Sequence, residues 1–504
     1  MAHIRNIKRC ASLFACLSLG VLAGPVALAT GAGATGPSPL APYPASHVDF
    51  VGYGDGPGLG MGQWGAFGYA VLEHEPYRWI LAHYYGGTTL TSADSQVAQD
   101  PVVSVDIDEN DGHPVVVTSA SAFSFGGYSF GAGQAARAVL TSGDWALSQA
   151  PSCASTTWTP VASGLVNPVA KPSSLAATAS TSQVLSICEH GGAVLAVRGT
   201  VEAYHGPKGA VTLSILPLEE YVRSVISGEV SWSWGLFGAS NWSPQGEPWG
   251  FQALEAQAVA TRSYLAAELA AGGWAPYATT CDSYCQTYPG MADETSDLDL
   301  AVADTTGLVL GQSASASQSA SASQSAPASQ SASASPSAGG AQRRAGLTSG
   351  RYVVPAPGPP GLPPGEAPPG PPAPPGAPLV PVLAEYSAST GGYTGGGPFP
   401  GVIDSGDGIC IKSHYYTCNP CHKWLASVPM NVVEKTFKSV GKLAAIDVTQ
   451  RNGLGALGGR VETVEIVGTS GSVLVVPSAA LEALLAASNP DHCASDWYGV
   501  SNGP

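Results

Sequence analysis

The stretch 217-PLEEYVRSVISGEV-230, with its continuation 253-ALEAQAVATRSYL-265, decides the fold of this chain. Apolar residues recur from Leu218 to Ile226 at helical spacing, which predicts a helix with one face turned inward. Pro217 suits the first helical position. Continuing the stripe places Glu229 on the inward face, where burial raises the pKa of a carboxyl group and suits it to general-acid chemistry. The same pattern also fits a buried glutamate that is paired with an arginine.

A second helix is predicted from about Phe251 to Ala271. Arg262 lies at the edge of its stripe, from which it can reach Glu229 or a substrate. The stripe itself consists of Leu254, Ala258, Thr261, Leu265 and Leu269.

Together these segments, LEEYV..V..GEV and ALxAQAVATRSY, resemble the SpoIID/LytB family of stage II sporulation protein D and amidase-enhancer-like proteins. The resemblance implies action on bacterial cell-wall peptidoglycan, since sporulation-type members are lytic transglycosylases that cut glycan strands stripped of stem peptides. The essential Glu of the family matches Glu229, and its Arg matches Arg262. Two departures stand out: Glu255 replaces a usual Lys, and the spacer Val230–Gly250 is long and rich in Trp.

A glycine-rich block precedes these helices: 50-FVGYGDGPGLGMGQWGAFGYAVLEHEPYRWILAHYYGGTTL-90. Alone, it could cradle phosphate, but no strand–helix–strand unit with an acidic ribose partner is visible. It resembles the family's GxGxGHGxGMSQxGA…ILxHYYxGT block, with Asp55 in place of a usual His and Gly62 in place of a usual Ser. A helix is predicted to start near Gln63. Gln63 and Trp64 are expected either to line a sugar groove or simply to pack.

The composition indicates an exported protein that does not bind nucleic acid. The chain has 504 residues, a net charge of −16 and only 11% charged residues, without a basic patch. Residues 1–29 combine three basic residues, the apolar run Cys10–Leu28 and a small-residue pattern, ALA, at 27–29. These features predict a secretory signal peptide, with an uncleaved anchor as the alternative. We expect a secreted, cell-wall-associated protein that has no membrane contact after cleavage.

The predicted fold class is α+β, an antiparallel β-rich scaffold with a central helical pair. Segments such as VVSVDID, PVVVTSA and AVLAVRGTVEAYH between 100 and 216 predict short strands in a barrel-like or sandwich arrangement. Cleavage of the signal would leave eight of the ten cysteines, an even number that points to disulfides in an exported chain. Cys153 and Cys188 are expected to pair with each other.

The later cysteines allow more than one interpretation. The segment 281-CDSYCQTYPG-290 resembles the family pattern CDTTxCQVYxG, and we favour a Cys281–Cys285 disulfide over zinc, which needs further ligands. Gln286 and Tyr288 are expected to contact sugar. The run from Cys410 to His422 has zinc-ligand residue types, and its last part, 418-CNPCH-422, matches a haem-attachment pattern. Disulfides among Cys410, Cys418, Cys421 and Cys493 fit an exported protein better, so we expect no metal and no cofactor.

A compositional break at 312–381 is predicted to be a disordered Ser/Ala- and Pro-rich insertion within a β-hairpin. Family-like sequence then resumes with 386-YSASTGGYTGG-396, where Ser389 is expected to line a cleft without a visible His/Asp partner. The predicted organisation is a signal peptide (1–29), a flexible lead-in (30–49), a first domain part (50–311), the insertion (312–381) and a second domain part (382–504). The first part contains the glycine-rich block (50–90), the β-rich region (100–216) and the helices (217–271).

The sequence therefore predicts an enzyme of peptidoglycan turnover. A lytic transglycosylase needs one carboxyl group, here Glu229, which protonates the glycosidic oxygen and then takes a proton from the sugar's 6-hydroxyl. A hydrolase usually needs a second carboxylate. Arg262 is expected to steady the substrate or the developing charge. The alternatives are a non-enzymatic activator of a cell-wall amidase and a wall-binding scaffold, so the expected partners are glycan strands and an amidase.

Overall fold

The β-rich region and the helical pair share one hydrophobic core in the computed structural model, which describes residues 40–92, 101–238, 246–283, 285–313, 379–412 and 416–501. The predicted signal peptide, the first half of the lead-in (30–39) and most of the insertion lie outside the described residues. Within these ranges, no helix has the length and apolar character needed to cross a membrane.

The helices are numbered in chain order: α1 Gln63–Gly68, α2 Tyr77–Tyr84, α3 Leu218–Glu229, α4 Phe251–Ala271, α5 Ser296–Asp304, α6 Met430–Thr436 and α7 Ala479–Ala487. The strands follow the same rule: β1 His47–Gly52, β2 Met61–Gly62, β3 Thr89–Ser92, β4 Val102–Asp106, β5 Val115–Thr118, β6 Phe123–Phe125, β7 Tyr128–Phe130, β8 Ala135–Thr141, β9 Asp144–Ala150, β10 Thr159–Leu165, β11 Val169–Lys171, β12 Leu185–Cys188, β13 Val194–Val197, β14 Thr200–Gly206, β15 Gly209–Pro217, β16 Thr280–Cys281, β17 Leu308–Ser313, β18 Leu379–Pro381, β19 Tyr386–Ser387, β20 Cys410–Lys412, β21 Tyr416–Cys418, β22 Trp424–Pro429, β23 Leu443–Arg451, β24 Val461–Gly468, β25 Val473–Pro477 and β26 Tyr498–Ser501.

Two facing sheets form the β-rich region. One has the strand order β10-β9-β8-β5-β12-β13 and the other β16-β4-β15-β14-β11-β6-β7. Strands β5 and β8 of the first sheet lie against β15 of the second. Side chains alternate between the core and the surface, as in Val115 and Val117 of β5 and Val103 and Val105 of β4, which are all fully buried in the same core. The α+β fold class predicted from the sequence is confirmed.

The second sheet delivers the chain directly into α3. Pro217 ends β15 and also occupies the position before α3, with φ −60° and ψ 151°, so the strand runs into the helix without a loop. Glu219 at the start of α3 pairs with Arg262, whereas Gln63 links Glu229 at the end of α3 to Gln257. The two helices are therefore antiparallel.

Helix α4 is the centre of this core. Its residues from Phe251 to Ser263 are all buried, because α1, α2, α3, α5 and β17 surround it. The prediction of a single apolar stripe was too narrow. A helix that is enclosed on every side needs mostly small or apolar residues all round, and six of the eight residues of 253-ALEAQAVA-260 are Ala, Leu or Val.

The segments before and after the insertion are interleaved. Strand β1 lies between β22 and β26, β2 pairs in parallel with β19, and β3 pairs with β17. The glycine-rich block makes this close approach possible. Gly54 has a φ of +81° and lies against the backbone of Ser389. A Cβ atom at Gly54 would be only 2.8 Å from the carbonyl oxygen of Ser389.

A second core lies at the C-terminal side of the chain. The meander β23-β24-β25 and the sheet β22-β1-β26 pack with α6 and α7 around buried residues such as Ile446, Val464 and Leu485. Four disulfides are present within the described residues, and they confirm the predicted pairs Cys153–Cys188 and Cys281–Cys285. The remaining pairs are Cys410–Cys418 and Cys421–Cys493.

The insertion enters and leaves through a hairpin. Strand β17 pairs antiparallel with β18, with Ser313 opposite Leu379 and Gly311 opposite Pro381. Residues 312–313 and 379–381, which the sequence assigned to the insertion, therefore belong to the hairpin. The predicted disorder of the insertion concerns residues 314–378, which lie outside the described residues.

Replacing residues 314–378 with a Gly-Asn turn tests the hairpin. Because Ser313 and Leu379 already face each other, the shorter connection should close the same pair of strands. Loop-closure entropy changes by only about 0.6 kcal/mol per doubling of length, so the free energy of unfolding should stay equal or rise by at most about 3 kcal/mol. Chemical denaturation measures this change, and a clear loss of stability would show that the deleted residues contribute to the fold.

Helix α4 also buries a carboxyl group. Burial, and secondly the negative charge of Asp304, raise the pKa of Glu255 to about 8, while Gln252 Nε2 donates a hydrogen bond to its Oε2 at 2.6 Å. The pKa of an unfolded glutamate is about 4.3. The contribution of Glu255 to stability is therefore fully present below about pH 4, and it is lost as pH rises from there through about 8.

Glu255→Gln should remove this dependence on pH. The wild-type protein is expected to lose on the order of 3 kcal/mol between pH 5.5 and 8.5 through this residue. The variant should match the wild type at about pH 4, where Glu255 is largely protonated in both the folded and the unfolded state, and it should unfold at a higher temperature than the wild type at pH 8.5, as measured by calorimetry. Equal melting temperatures of the two proteins at pH 8.5 would contradict the assignment.

Candidate active site

Glu229 lies where four separate segments of the chain meet. It is the last residue of α3, and Val230 continues in an extended conformation. Gln63 approaches from the first position of α1, Thr287 from the loop after the Cys281–Cys285 disulfide, and Tyr386 from β19. The helix end fits closely against this loop, since a Cβ atom at Gly228 would lie 2.9 Å from the side chains of Thr287 and Pro289.

The two carboxyl oxygens of Glu229 have different partners. Oε1 accepts a hydrogen bond from the backbone N–H of Thr287 at 2.7 Å, and Oε2 accepts one from Gln63 Nε2 at 3.3 Å. Gln63 Nε2 also donates to Gln257 Oε1 at 3.4 Å, and Gln257 Nε2 donates to Thr261 Oγ1 at 3.3 Å. The contact to Oε2 is the longer one, and a side-chain amide can turn to present its oxygen, whereas a backbone N–H can only donate. The proton of the neutral acid therefore fits better on Oε2.

The surroundings of Glu229 favour its neutral form. The residue is half-buried, and burial raises the pKa of its carboxyl group, while hydrogen bonds from Thr287, Gln63 and Tyr386 offset part of this rise. These donors are all neutral. A half-buried carboxyl group with a raised pKa and neutral donors is suited to giving up a proton and then accepting one.

Gln286 contacts this site from the interior of the protein. Its side chain is buried, its Oε1 accepts a hydrogen bond from Tyr221 Oη at 3.0 Å, and its Nε2 donates to Tyr386 Oη at 3.0 Å. Gln286 therefore positions Tyr386 beside Glu229. We expected Gln286 to contact a sugar directly, but its hydrogen bonds connect it to two tyrosines of the protein.

Tyr288 is part of the core, and its predicted contact with sugar is wrong. The side chain is buried and stacked on Tyr221, with ring centroids 5.7 Å apart and an angle of 12° between the rings. Its hydroxyl group forms a hydrogen bond of 3.0 Å with Ser214 Oγ. In the CDSYCQTYPG segment, therefore, the backbone of Thr287 reaches Glu229, whereas the flanking side chains of Gln286 and Tyr288 turn into the protein.

Arg262 has a structural role, so the prediction that it reaches Glu229 or a substrate is wrong. Its guanidinium group is fully buried and donates to Glu219 Oε1 from Nε at 2.8 Å and to Glu219 Oε2 from Nη2 at 2.7 Å. Its Nη1 donates to the carbonyl oxygen of Leu308 at 3.1 Å. The alternative of an Arg–Glu pair therefore applies to Glu219 and not to Glu229.

Ser389 is fully buried and does not line an open cleft, contrary to the prediction. Its Oγ donates to both oxygens of Asp407 at 2.9 Å and accepts from Asn419 Nδ2 at 2.9 Å. Asp407 also accepts a hydrogen bond from His422 Nδ1 at 2.8 Å. The sequence did not reveal these partners. Because the carboxylate separates the serine from the histidine, the histidine cannot take the serine's proton, as a serine nucleophile requires.

Gln63 and Trp64 have different surroundings. Gln63 contacts Glu229, whereas Trp64 is half-buried and packs on Trp234 with ring centroids 5.1 Å apart. Sequence reasoning missed Gln257, Thr287 and Tyr386. The pattern carried one signal for Gln257, a polar residue one turn before Thr261 on a helix whose other positions are mostly apolar. Among the described residues, no group of three or more His, Cys, Asp or Glu side chains is arranged to hold a metal ion.

Residues 208–311 match the family model SpoIID, described as Stage II sporulation protein. The match runs from β15 through α3 and α4 into β17 and includes Glu229 and Thr287. It confirms the SpoIID/LytB assignment for this part of the chain and indicates a function related to the cell wall. No curated protein and no solved structure matches the chain.

The structural role of Arg262 can be tested by removing either partner of its ion pair. Arg262→Met and Glu219→Gln should each destabilise the protein by about 3–5 kcal/mol, because each leaves a buried charge or donor without its partner. The double variant should be less unstable than the sum of the two single changes. Urea denaturation measures all three. Normal stability of Arg262→Met, combined with a loss of activity, would instead return Arg262 to the active site.

Proposed function

We propose that this chain is a secreted lytic transglycosylase that cleaves peptidoglycan glycan strands, with Glu229 as the only catalytic carboxyl group. The observation that carries the proposal is the environment of this residue: half-buried, with a raised pKa, and held by a backbone N–H on one oxygen only. The SpoIID match over the same helices supports a cell-wall substrate. Export rests on the signal-peptide pattern of residues 1–29.

The reaction needs one proton donor that later becomes an acceptor. Oε2 of Glu229 gives its proton to the glycosidic oxygen as the bond from that oxygen to the anomeric carbon breaks. The resulting carboxylate then removes the proton from the 6-hydroxyl of the same sugar, whose oxygen forms a new bond to the anomeric carbon. The products are a 1,6-anhydro end and a free hydroxyl on the leaving strand. No water is consumed, and Glu229 ends in its starting protonation state.

The hydrogen bonds around Glu229 suit both halves of this cycle. Burial keeps the carboxyl group protonated before the first step. The N–H of Thr287 and the amide of Gln63 stabilise the carboxylate that the first step creates. Tyr386, held by Gln286, provides a third neutral donor. A cation at this position would lower the pKa of Glu229 and leave the carboxyl group deprotonated before the first step. Arg262 is instead paired with Glu219, at the opposite end of α3 from Glu229.

The choice of a transglycosylase over a hydrolase rests on the family resemblance. In the described part of the chain, the groups that hydrogen bond to Glu229 are a backbone N–H, an amide and side-chain hydroxyls. The two carboxyl groups of a glycoside hydrolase usually stand about 5–10 Å apart, too far to hydrogen bond, so these partners fit either reaction. The preference for strands without stem peptides rests on the family resemblance alone.

Glu229→Gln tests the proposal directly. The amide keeps the shape of the side chain but has no transferable acidic proton, so cleavage should fall by about 10²–10⁴-fold or more. The melting temperature should stay equal or rise, because the cost of burying a charge disappears. Wild-type activity should decline as pH rises through the raised pKa of Glu229, above the range of an ordinary glutamate. The assay digests peptide-free glycan strands and identifies the new ends by mass spectrometry.

Glu482→Gln is the matched control, since burial also raises the pKa of Glu482, which lies in α7 on the second core. This variant should cleave glycan like the wild type. Reducing ends in place of 1,6-anhydro ends would make the protein a hydrolase. No cleavage by the wild type, together with faster wall digestion by an added amidase, would identify an amidase activator. Full activity of Glu229→Gln would remove this residue from the mechanism.

A further inference from the structure

The segment that follows Glu229 presents an exposed indole. After the extended residues Val230 and Ser231, a short 3-10 helix covers Trp232–Leu236. The side chain of Trp232 is 45% exposed, and that of Leu236 is 47% exposed. Three residues of extended chain span at most about 10 Å, so the Cα atom of Trp232 lies within that distance of the Cα atom of Glu229.

The 3-10 helix is firmly attached to the elements that build the candidate site. Trp234 is buried and stacks on Phe67 of α1, with ring centroids 4.7 Å apart and an angle of 15° between the rings. On the other side, a Cβ atom at Gly235 would lie 3.1 Å from the side chain of Leu254 in α4. Helices α1 and α4 also carry Gln63 and Gln257, which connect to Glu229. Trp232 is therefore held at a fixed place relative to the carboxyl group.

The chemistry of this segment suits a neutral polyhydroxylated ligand. Residues 230–237, VSWSWGLF, contain no charged side chain. An indole ring offers a flat apolar face that can cover the C–H face of a pyranose ring. Ser231 and Ser233 are hydrogen bonded to each other at 2.8 Å on the exposed side of the segment, where their hydroxyl groups can also meet sugar hydroxyls.

We propose that Trp232 is a substrate-binding residue that stacks on a sugar ring of the glycan strand next to the bond that Glu229 cleaves. The inference rests on the proposed function and extends it, because it assigns a binding role to the Trp-rich spacer between α3 and α4. A strand that places its scissile bond at Glu229 must pass over the surface beside it, and Trp232 is anchored there.

The test separates binding from catalysis by using the Glu229→Gln background. Peptide-free glycan oligomers are titrated into this protein and into the same protein with Trp232→Ala, Trp232→Phe or Trp274→Ala, and calorimetry gives Kd. Trp232→Ala should weaken binding about tenfold, whereas Trp232→Phe should keep most of the affinity because it retains an aromatic face. Trp274→Ala should have no effect. Trp274 is 54% exposed but follows the last residue of α4. That end of the helix is about 21 Å from Gln257 along the helix axis.

In otherwise wild-type protein, Trp232→Ala should raise KM about tenfold and leave kcat nearly unchanged, since stacking holds the substrate and the transition state equally. Equal affinity of the Trp232→Ala, Trp232→Phe and parent proteins would overturn the inference and leave the proposed function intact. If Trp232→Ala fails to fold, an equal change in tryptophan fluorescence on addition of glycan to the parent and to Trp232→Phe would overturn it as well. Glycan binding by none of the proteins, with no cleavage, would instead defeat the proposed function.

A membrane role for the same indole is distinguishable. If Trp232→Ala abolished binding to phosphatidylglycerol vesicles but left the glycan Kd unchanged, the exposed surface would be a lipid contact and the inference would be wrong.

Discussion

The burial of α4 on every side is the constraint on which the rest of the structure depends. Each polar group on this helix must find a partner inside the protein, because an unpaired buried group is costly. Arg262 therefore fixes the start of α3 through Glu219, and Ser263 Oγ accepts a hydrogen bond from the backbone N–H of Leu310 in β17 at 2.9 Å. Gln252 Oε1 accepts one from the backbone N–H of Tyr77 at the start of α2. One helix thus sets the positions of its neighbours.

The same requirement creates the candidate active site. Gln257 is buried in α4 and is satisfied by Gln63 and Thr261, and Gln63 in turn reaches Glu229. The catalytic candidate is thereby connected to the core through neutral amides and not through a cation. Burial can then raise the pKa of Glu229 without an opposing positive charge. The polar side of α4 thus helps to set the position of the acid through Gln63, whereas burial of Glu229 raises its pKa.

The residues that depart from the family pattern have different roles in the structure. Glu255, where a Lys is usual, is a buried carboxyl group with a pKa raised to about 8, so it affects how stability depends on pH. Asp55, where a His is usual, is largely buried and accepts a hydrogen bond from the backbone N–H of Ala494 through Oδ1 at 2.9 Å. The Trp-rich spacer uses Trp234 to attach to the core and leaves Trp232 at the surface. The first two residues are structural, whereas the first residues of the spacer, 230–236, directly follow the candidate acid.

The sequence by itself determined the α+β class, the helices of the central pair, the Cys153 and Cys281 disulfide partners and the inward place of Glu229. These features follow from local periodicity and composition, which a linear pattern records. Only the tertiary structure decided that Arg262 pairs with Glu219, that Tyr288 is core and that a backbone N–H of Thr287 holds Glu229. Such choices depend on which atoms meet across distant segments, and a backbone donor has no side-chain signature in the sequence. The sequence pattern identified candidate residues, but their partners depend on how distant segments pack together.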